Sequence, residues 1–161
     1  MTIAEAYRRV ENFLNDIEPI KSDIGSQLAI DAKDINIEQL SKGVRSDNEK
    51  IGDYSPIHKK HRQEKGLQTD FVDLNFTGYW HSTIFGTYDT NDNKIFIDST
   101  DKQRTDKLIF GGTSETSECG CFSNPPYGEE ILGVNADEHD TLRHKGYLLL
   151  LEKFREYTGF E

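Results

Sequence analysis

Asp73-Leu74-Asn75-Phe76-Thr77-Gly78-Tyr79-Trp80-His81-Ser82-Thr83-Ile84 is the stretch on which the fold turns. Across Phe71 to Phe76 the residues alternate, so Val72, Leu74 and Phe76 share one side of an extended chain. A Thr-Gly step follows. The run from Trp80 to Tyr88 is then dense in aromatic and β-branched residues, with Trp80, Ser82, Ile84, Gly86 and Tyr88 on one side. Asn91-Asp92-Asn93 marks a turn, and Lys94-Ile95-Phe96-Ile97-Asp98 returns as a hairpin partner. Gly78 is expected to take a positive φ or a tight bend where one strand gives way to the next, and Thr77 to fix that bend through its hydroxyl. Trp80, the only tryptophan, offers a large surface for a core or a subunit seam. Leu108-Ile109-Phe110 reads as a short strand or a helical piece before Gly111-Gly112.

Helical periodicity brackets this sheet. Ile3, Tyr7, Val10, Leu14 and Ile17 recur alternately every four and three residues, Thr2 with Glu5 forms a capping box, and Pro19 is expected to end the helix near Glu18. Ile20, Ile24, Leu28, Ala32 and Ile35 predict a second helix over about Ser22–Asp34. Asn36 with Gln39 is placed to cap one more turn through Leu40, ended by Gly43. Stripes this narrow suit a core first, and a seam between subunits second. Residues 44–68 lack sustained periodicity, except that Ser55 as N-cap and Pro56 behind it predict a short helix reaching Lys65. The chain from Asp137 to Tyr157 is helical in pattern, with Gly159 just past its end. The predicted architecture is α+β in one domain. It has a helical region over 1–43, a sheet region over 69–112, a Ser/Thr/Gly/Glu/Pro-rich loop or arm over 113–136, and a closing helix over 137–158.

At 161 residues the chain can bury about two-thirds of its unfolded surface in one core. Only 34% of it is hydrophobic and 30% is charged, so some elements are expected to gain stability from partners. Its net charge of −10 opposes general binding to phosphate backbones. The one basic run is His58-Lys59-Lys60-His61-Arg62 with Lys65, read as a protein-facing surface with at most passing contact with DNA. Residues 113–141 hold no Lys or Arg and seven acidic residues, so basic and acidic zones are available to pair between copies.

No reaction chemistry is framed by these motifs. Cys119-Gly-Cys121 is off the spacing of a zinc pair and too close for an unstrained disulfide, and His58 and His61 lack a matching ligand set. On a strand His81 and Ser82 point to opposite faces, which denies Ser82 a base. Glu129-Glu130 and Asp137-Glu138-Asp140 do not follow an EF-hand. The expectation is no enzyme, no cofactor and no metal. The N-terminal ten residues carry Glu5, Arg8 and Arg9, which excludes a signal-peptide apolar region there, and the longest apolar run, Tyr147–Leu151, is too short to span a bilayer.

Three pieces, in order, resemble the tail-completion or head–tail connector family of tailed bacteriophages, including the Mu-like virion morphogenesis proteins. Tyr54-Ser55-Pro56 before the basic run resembles the family's aromatic, Pro and basic-helix segment. Thr77, Gly78, Tyr79, Trp80 and Ser82 resemble its Thr-Gly, bulky residue, Ser signature. Ile95 to Ser99 and then Phe110-Gly111 resemble its closing strand and aromatic-Gly end. The likeness spans roughly residues 50 to 112, and departs at Arg104-Thr105-Asp106-Lys107, where the family often has Tyr-Ala and a His. It implies a structural virion protein at the neck or upper tail, forming a ring of about six or twelve copies that meets other neck, connector or tail-tube proteins. The rival readings are a non-virion assembly factor or cytosolic protein-binding module, and a small enzyme or metal protein.

Overall fold

The computed structural model describes residues 1–113, 123–124 and 127–160. Of the loop or arm expected over 113–136, residues 114–122, with Cys119 and Cys121, and 125–126 lie outside the described residues; its last part holds a 3-10 turn over Glu129–Ile131. The architecture is mixed helix and strand, as the sequence predicts.

Helix α1 spans Ile3–Asn15 and its capping box is formed: the Glu5 amide donates to Thr2 Oγ1 at 3.2 Å, and the Thr2 amide to Glu5 Oε2 at 2.7 Å. The chain breaks at Asp16, not at Pro19. Pro19 sits in the first turn of α2 (Ile17–Ser41), where an amide has no intrahelical acceptor, so its missing N–H costs no helical bond. The second helix and the separate capped turn expected up to Leu40 are one continuous α2. Asn36 and Gln39 are buried within it and cap nothing. Asn36 Nδ2 donates to the carbonyls of Ile131 and Gly133 at 3.0 and 2.8 Å, and Gln39 Oε1 accepts from the Asn135 amide at 3.2 Å. Both tie the chain after residue 131 to the helix. Gly43, at φ +73, closes α2 as expected: its amide reaches the Leu40 carbonyl and that of Val44 the Gln39 carbonyl.

The predicted strand over 71–76 does not form. Its backbone groups are claimed by side chains instead of a neighbouring strand: Tyr54 Oη accepts from the Asp73 amide, Arg62 donates to the Asn75 carbonyl and Gln68 to the Phe71 carbonyl. Leu74 also takes φ +54, which breaks the alternation. Nor does a strand begin at Trp80. Gly78 has the expected positive φ, +75, but it opens a helical turn, α4 (Tyr79–Thr83). The antiparallel hairpin is β1 (Ile84–Asp89) and β2 (Lys94–Ser99), in a register from Ile84↔Ser99 to Asp89↔Lys94. Helix α3 (Pro56–Glu64) has its expected Ser55 cap, and Leu108-Ile109-Phe110 ends helix α5 (Lys102–Phe110). Strands β3 (Gly112–Thr113) and β4 (Ser123–Asn124) form a two-residue pair before a 3-10 turn over Glu129–Ile131. Helix α6 (Ala136–Thr158) is capped by Asn135 and ends at Gly159 in the left-handed region.

Helix α2 lies across the hairpin on one side and against α6 on the other. Small residues make the approach possible. A Cβ at Gly86 of β1 would overlap the Ala29 carbonyl of α2, and one at Gly25 would overlap the Tyr88 ring. Beside this layer Leu40, Ile51, Tyr54, Val72, Trp80, Ile84, Leu108 and Ile131 form the main core. Helix α1 stands at the edge, where Phe13 meets Phe154 and Tyr157 edge-on with centroids 5.2 and 5.7 Å apart. The stripe read as core is largely outside it: Ile3 is 91% exposed, Tyr7 71% and Leu14 59%, with Val10 and Ile17 half-buried.

Candidate functional site

The residues singled out from the basic run and from the Thr-Gly segment meet at one place, and their roles divide between scaffold and surface. Ser55 Oγ accepts from the His58 amide at 3.4 Å and Pro56 opens α3, which aims the helix so that Arg62 points inward. Arg62 is 1% exposed. It donates through Nε to the Gln68 carbonyl at 2.7 Å, through Nη1 to the Asn75 carbonyl at 2.8 Å, and through Nη2 to Asp73 Oδ2 at 2.9 Å. Its guanidinium lies 4.4 Å from the centre of the Tyr54 ring. The expectation that Arg62 belongs to an exposed interface is therefore corrected: a planar cation with several fixed donors suits a buried junction of carbonyls and a carboxylate.

Asp73 completes the junction. It accepts from Tyr54 Oη at 2.7 Å, Gln68 Nε2 at 2.7 Å and the Asn75 amide at 2.8 Å. Burial alone would raise its carboxyl, but these hydrogen bonds, with Arg62, hold it below the usual carboxylate range. Burial, and then the bond to Asp73, push the Tyr54 phenol up. His81 is buried against Trp80 and hydrogen-bonds the Asp73 backbone. Burial lowers its pKa below 6.5 despite the opposing pull of that bond and the Asp73 charge. Trp80, 3% exposed, donates from Nε1 to Thr105 Oγ1 at 3.1 Å. Of the two places open to it, the tryptophan takes the core.

Over this scaffold sits an exposed platform. The Tyr79 amide donates to Thr77 Oγ1 at 3.4 Å, the bend-fixing bond expected of Thr77. Beyond that bend Phe76 and Tyr79 face solvent, 38% and 54% exposed. Lys65 Nζ stands 5.3 Å from the Phe76 ring centre and Arg104 Cζ 5.1 Å from that of Tyr79. His58 stacks on Tyr54 at 4.9 Å and meets Phe76 edge-on at 5.8 Å; burial, then Arg62, lower its pKa. A cleft of about 160 Å³ opens between these groups, and among the described residues no carboxylate lines it. Lys60 and His61 are exposed on the outer side of α3, Lys59 is half-buried, and His61 lies 3.6 Å from Glu64.

The remaining candidates fall elsewhere. Ser82 is exposed and donates to the Tyr79 carbonyl at 2.6 Å, so it is not paired with buried His81; the geometry responsible is a helical turn, not strand alternation. Phe110 is 69% exposed at the end of α5, where Gly111 takes φ +78. Sequence reasoning did not single out Tyr54 as a scaffold, or Phe76 and Arg104 as surface contacts. No periodic pattern marks a residue whose role depends on segments far along the chain. Among the described residues no helix is long and apolar enough to cross a membrane, and no three His, Cys, Asp or Glu side chains are grouped to hold a metal. Compared with protein-family models, with curated proteins and with solved structures, the chain matches none.

Proposed function

We propose that this protein is a structural component of a tailed-phage virion, at the neck or upper tail, that assembles as a ring to complete the tail or join it to the head. The observation that carries the reading is the platform. Phe76, Tyr79 and Arg104 are the residue types that anchor protein contacts, and they are displayed on a buried network that leaves the backbone beneath them little freedom. A surface built in this way is pre-organised to dock. The partners are further copies of the chain and neighbouring neck, connector or tail-tube proteins, and the location is the virion after assembly in the host cytoplasm.

Two measurements test this. Native mass and negative-stain imaging of the purified chain should show rings of about six or twelve copies, and purified particles should contain the protein. Phe76→Ser with Tyr79→Ser should leave the fold intact and remove the protein from particles. Its absence from wild-type particles would instead favour an assembly factor or a cytosolic binding module.

A further inference from the structure

A second surface lies apart from the platform. Between α2, the β1–β2 hairpin and α6 runs a groove of about 670 Å³, the size range of sites that take a ligand or the side chains of a docked helix. Its walls are apolar, with Ile24 and Leu28 from α2, Ile95 and Phe96 from β2, and Leu142 and Leu150 from α6. Gly146 lets α6 come close to Leu28 in this wall, since a Cβ there would stand 2.9 Å from Leu28 Cδ1. Lys21, Lys94 and Arg143 reach into its lining, while the acids paired with them, Glu18, Asp92 and Asp140, do not. The groove is thus apolar with a cationic rim.

The same chain carries the matching shape. Ile3, Tyr7 and Leu14 form an exposed ridge on α1, and Phe13 turns the adjacent face of that helix onto α6. At 100° per residue, Glu11 falls beside the ridge on the side away from Phe13. A helix whose anchors are spaced by about one and two further turns, flanked by an acid, is the form that lays into an apolar groove with a basic edge.

We infer that α1 of one copy seats its Ile3–Tyr7–Leu14 ridge in the α2–hairpin–α6 groove of the next, with Glu11 against the cationic rim. Ridge and groove are different surfaces, so the contact is heterologous and propagates head to tail until the rotation closes a ring. The inference rests on the ring reading above and names its seam.

The test is complementation between two full-length variants, followed by native mass spectrometry and light scattering, with thermal melts to confirm folding. The ridge variant is Tyr7→Asp with Leu14→Asp; the groove variant is Phe96→Asp, a residue 48% exposed. Each alone should stay monomeric, with association at least about ten-fold weaker than wild type, the size of one lost anchor. Mixed, they should stop at a one-to-one heterodimer, because one intact ridge meets one intact groove. If the groove variant does not fold, charge exchange replaces it: Glu11→Lys should weaken assembly, and adding Arg143→Glu should restore it. Rings that survive both variants would overturn this seam and leave the ring reading standing. Ridge-dependent self-pairing that ignores the groove would overturn it too, as would a monomer carrying a co-purified amphiphile. A confirmed seam in a protein absent from particles would instead defeat the virion assignment alone.

Discussion

Helices α1 and α3 invert one another. α1 carries the most regular apolar stripe in the chain and leaves it in solvent, whereas α3 carries the most basic run and buries its arginine. Periodicity and charge describe one face of one helix. Which face ends up inside depends on what the rest of the chain brings to it. For α3, Tyr54, Gln68, Asp73 and Asn75 arrive together and satisfy a guanidinium on all sides. For α1, the aromatic end of α6 arrives, and it meets Phe13, one position off the stripe.

The sharpest way to break this comparison is to truncate one buried and one exposed side chain of α3. Arg62→Ala leaves Asp73 buried without its cation and should cost about 3–5 kcal/mol in urea unfolding. Lys60→Ala, two residues away and exposed, should stay within about 0.5 kcal/mol. Similar losses at both positions would mean that α3 is not divided into scaffold and surface.

Next in size is Gly86→Ala. The new methyl would meet the Ala29 main-chain carbonyl, which cannot rotate away as a side chain would, so α2 and β1 must separate. A loss of about 1–3 kcal/mol in chemical denaturation is expected. A neutral result would show that the helix is not held so closely on the hairpin.

How far the sequence disclosed all this follows from the same logic. The capping box of α1, the Ser55-Pro56 start of α3, the Asn91–Asn93 turn and the closing helix are local signals with local causes, and each is where the pattern places it. The positive φ of Gly78 is local too. Its consequence is a helical turn in place of the expected strand, because a residue in that conformation can begin either. The 71–76 segment alternates like a strand, but its hydrogen bonds go to side chains from residues 54, 62 and 68, which alternation cannot see. Asn36 and Gln39 fail in the same way: amides suited to a cap serve a contact about 95 residues further on. The candidate site was legible as a neighbourhood. Its division into buried Arg62 and exposed Tyr79 was not.

A smaller effect should appear in acid. The folded state favours neutral His81, while the unfolded chain takes up a proton near the ordinary value of 6.5. The contribution of His81 is therefore complete above that value and is lost as pH falls through it toward the lower folded value. His58 acts in the same direction. Asp73, whose pKa is depressed, adds stability above 3.8 that disappears only as pH drops through its own lower value. Unfolding free energy should decline as pH falls below about 6.5, then fall again below about 3.8. His81→Gln should make the upper limb shallower and leave the part that His58 contributes. An upper limb as steep in His81→Gln as in the unsubstituted protein would place the titrating group elsewhere.

The smallest effect on folding belongs to the ridge of α1. Tyr7→Ser and Leu14→Ser each remove an apolar side chain that is mostly in water in the isolated protein, so no cavity is created and little transfer free energy is lost. Monomer stability measured at low concentration should move by no more than about 0.5 kcal/mol per substitution. For an apolar stripe of such regularity this is an unusual forecast, since the same residues facing a core would cost several-fold more. A large loss in the dilute monomer would mean that the stripe is covered within its own chain. A small loss, together with weakened association at high concentration, would locate its partner in another molecule and separate the two helices by what each lacks: α3 is complete within the chain, and α1 is not.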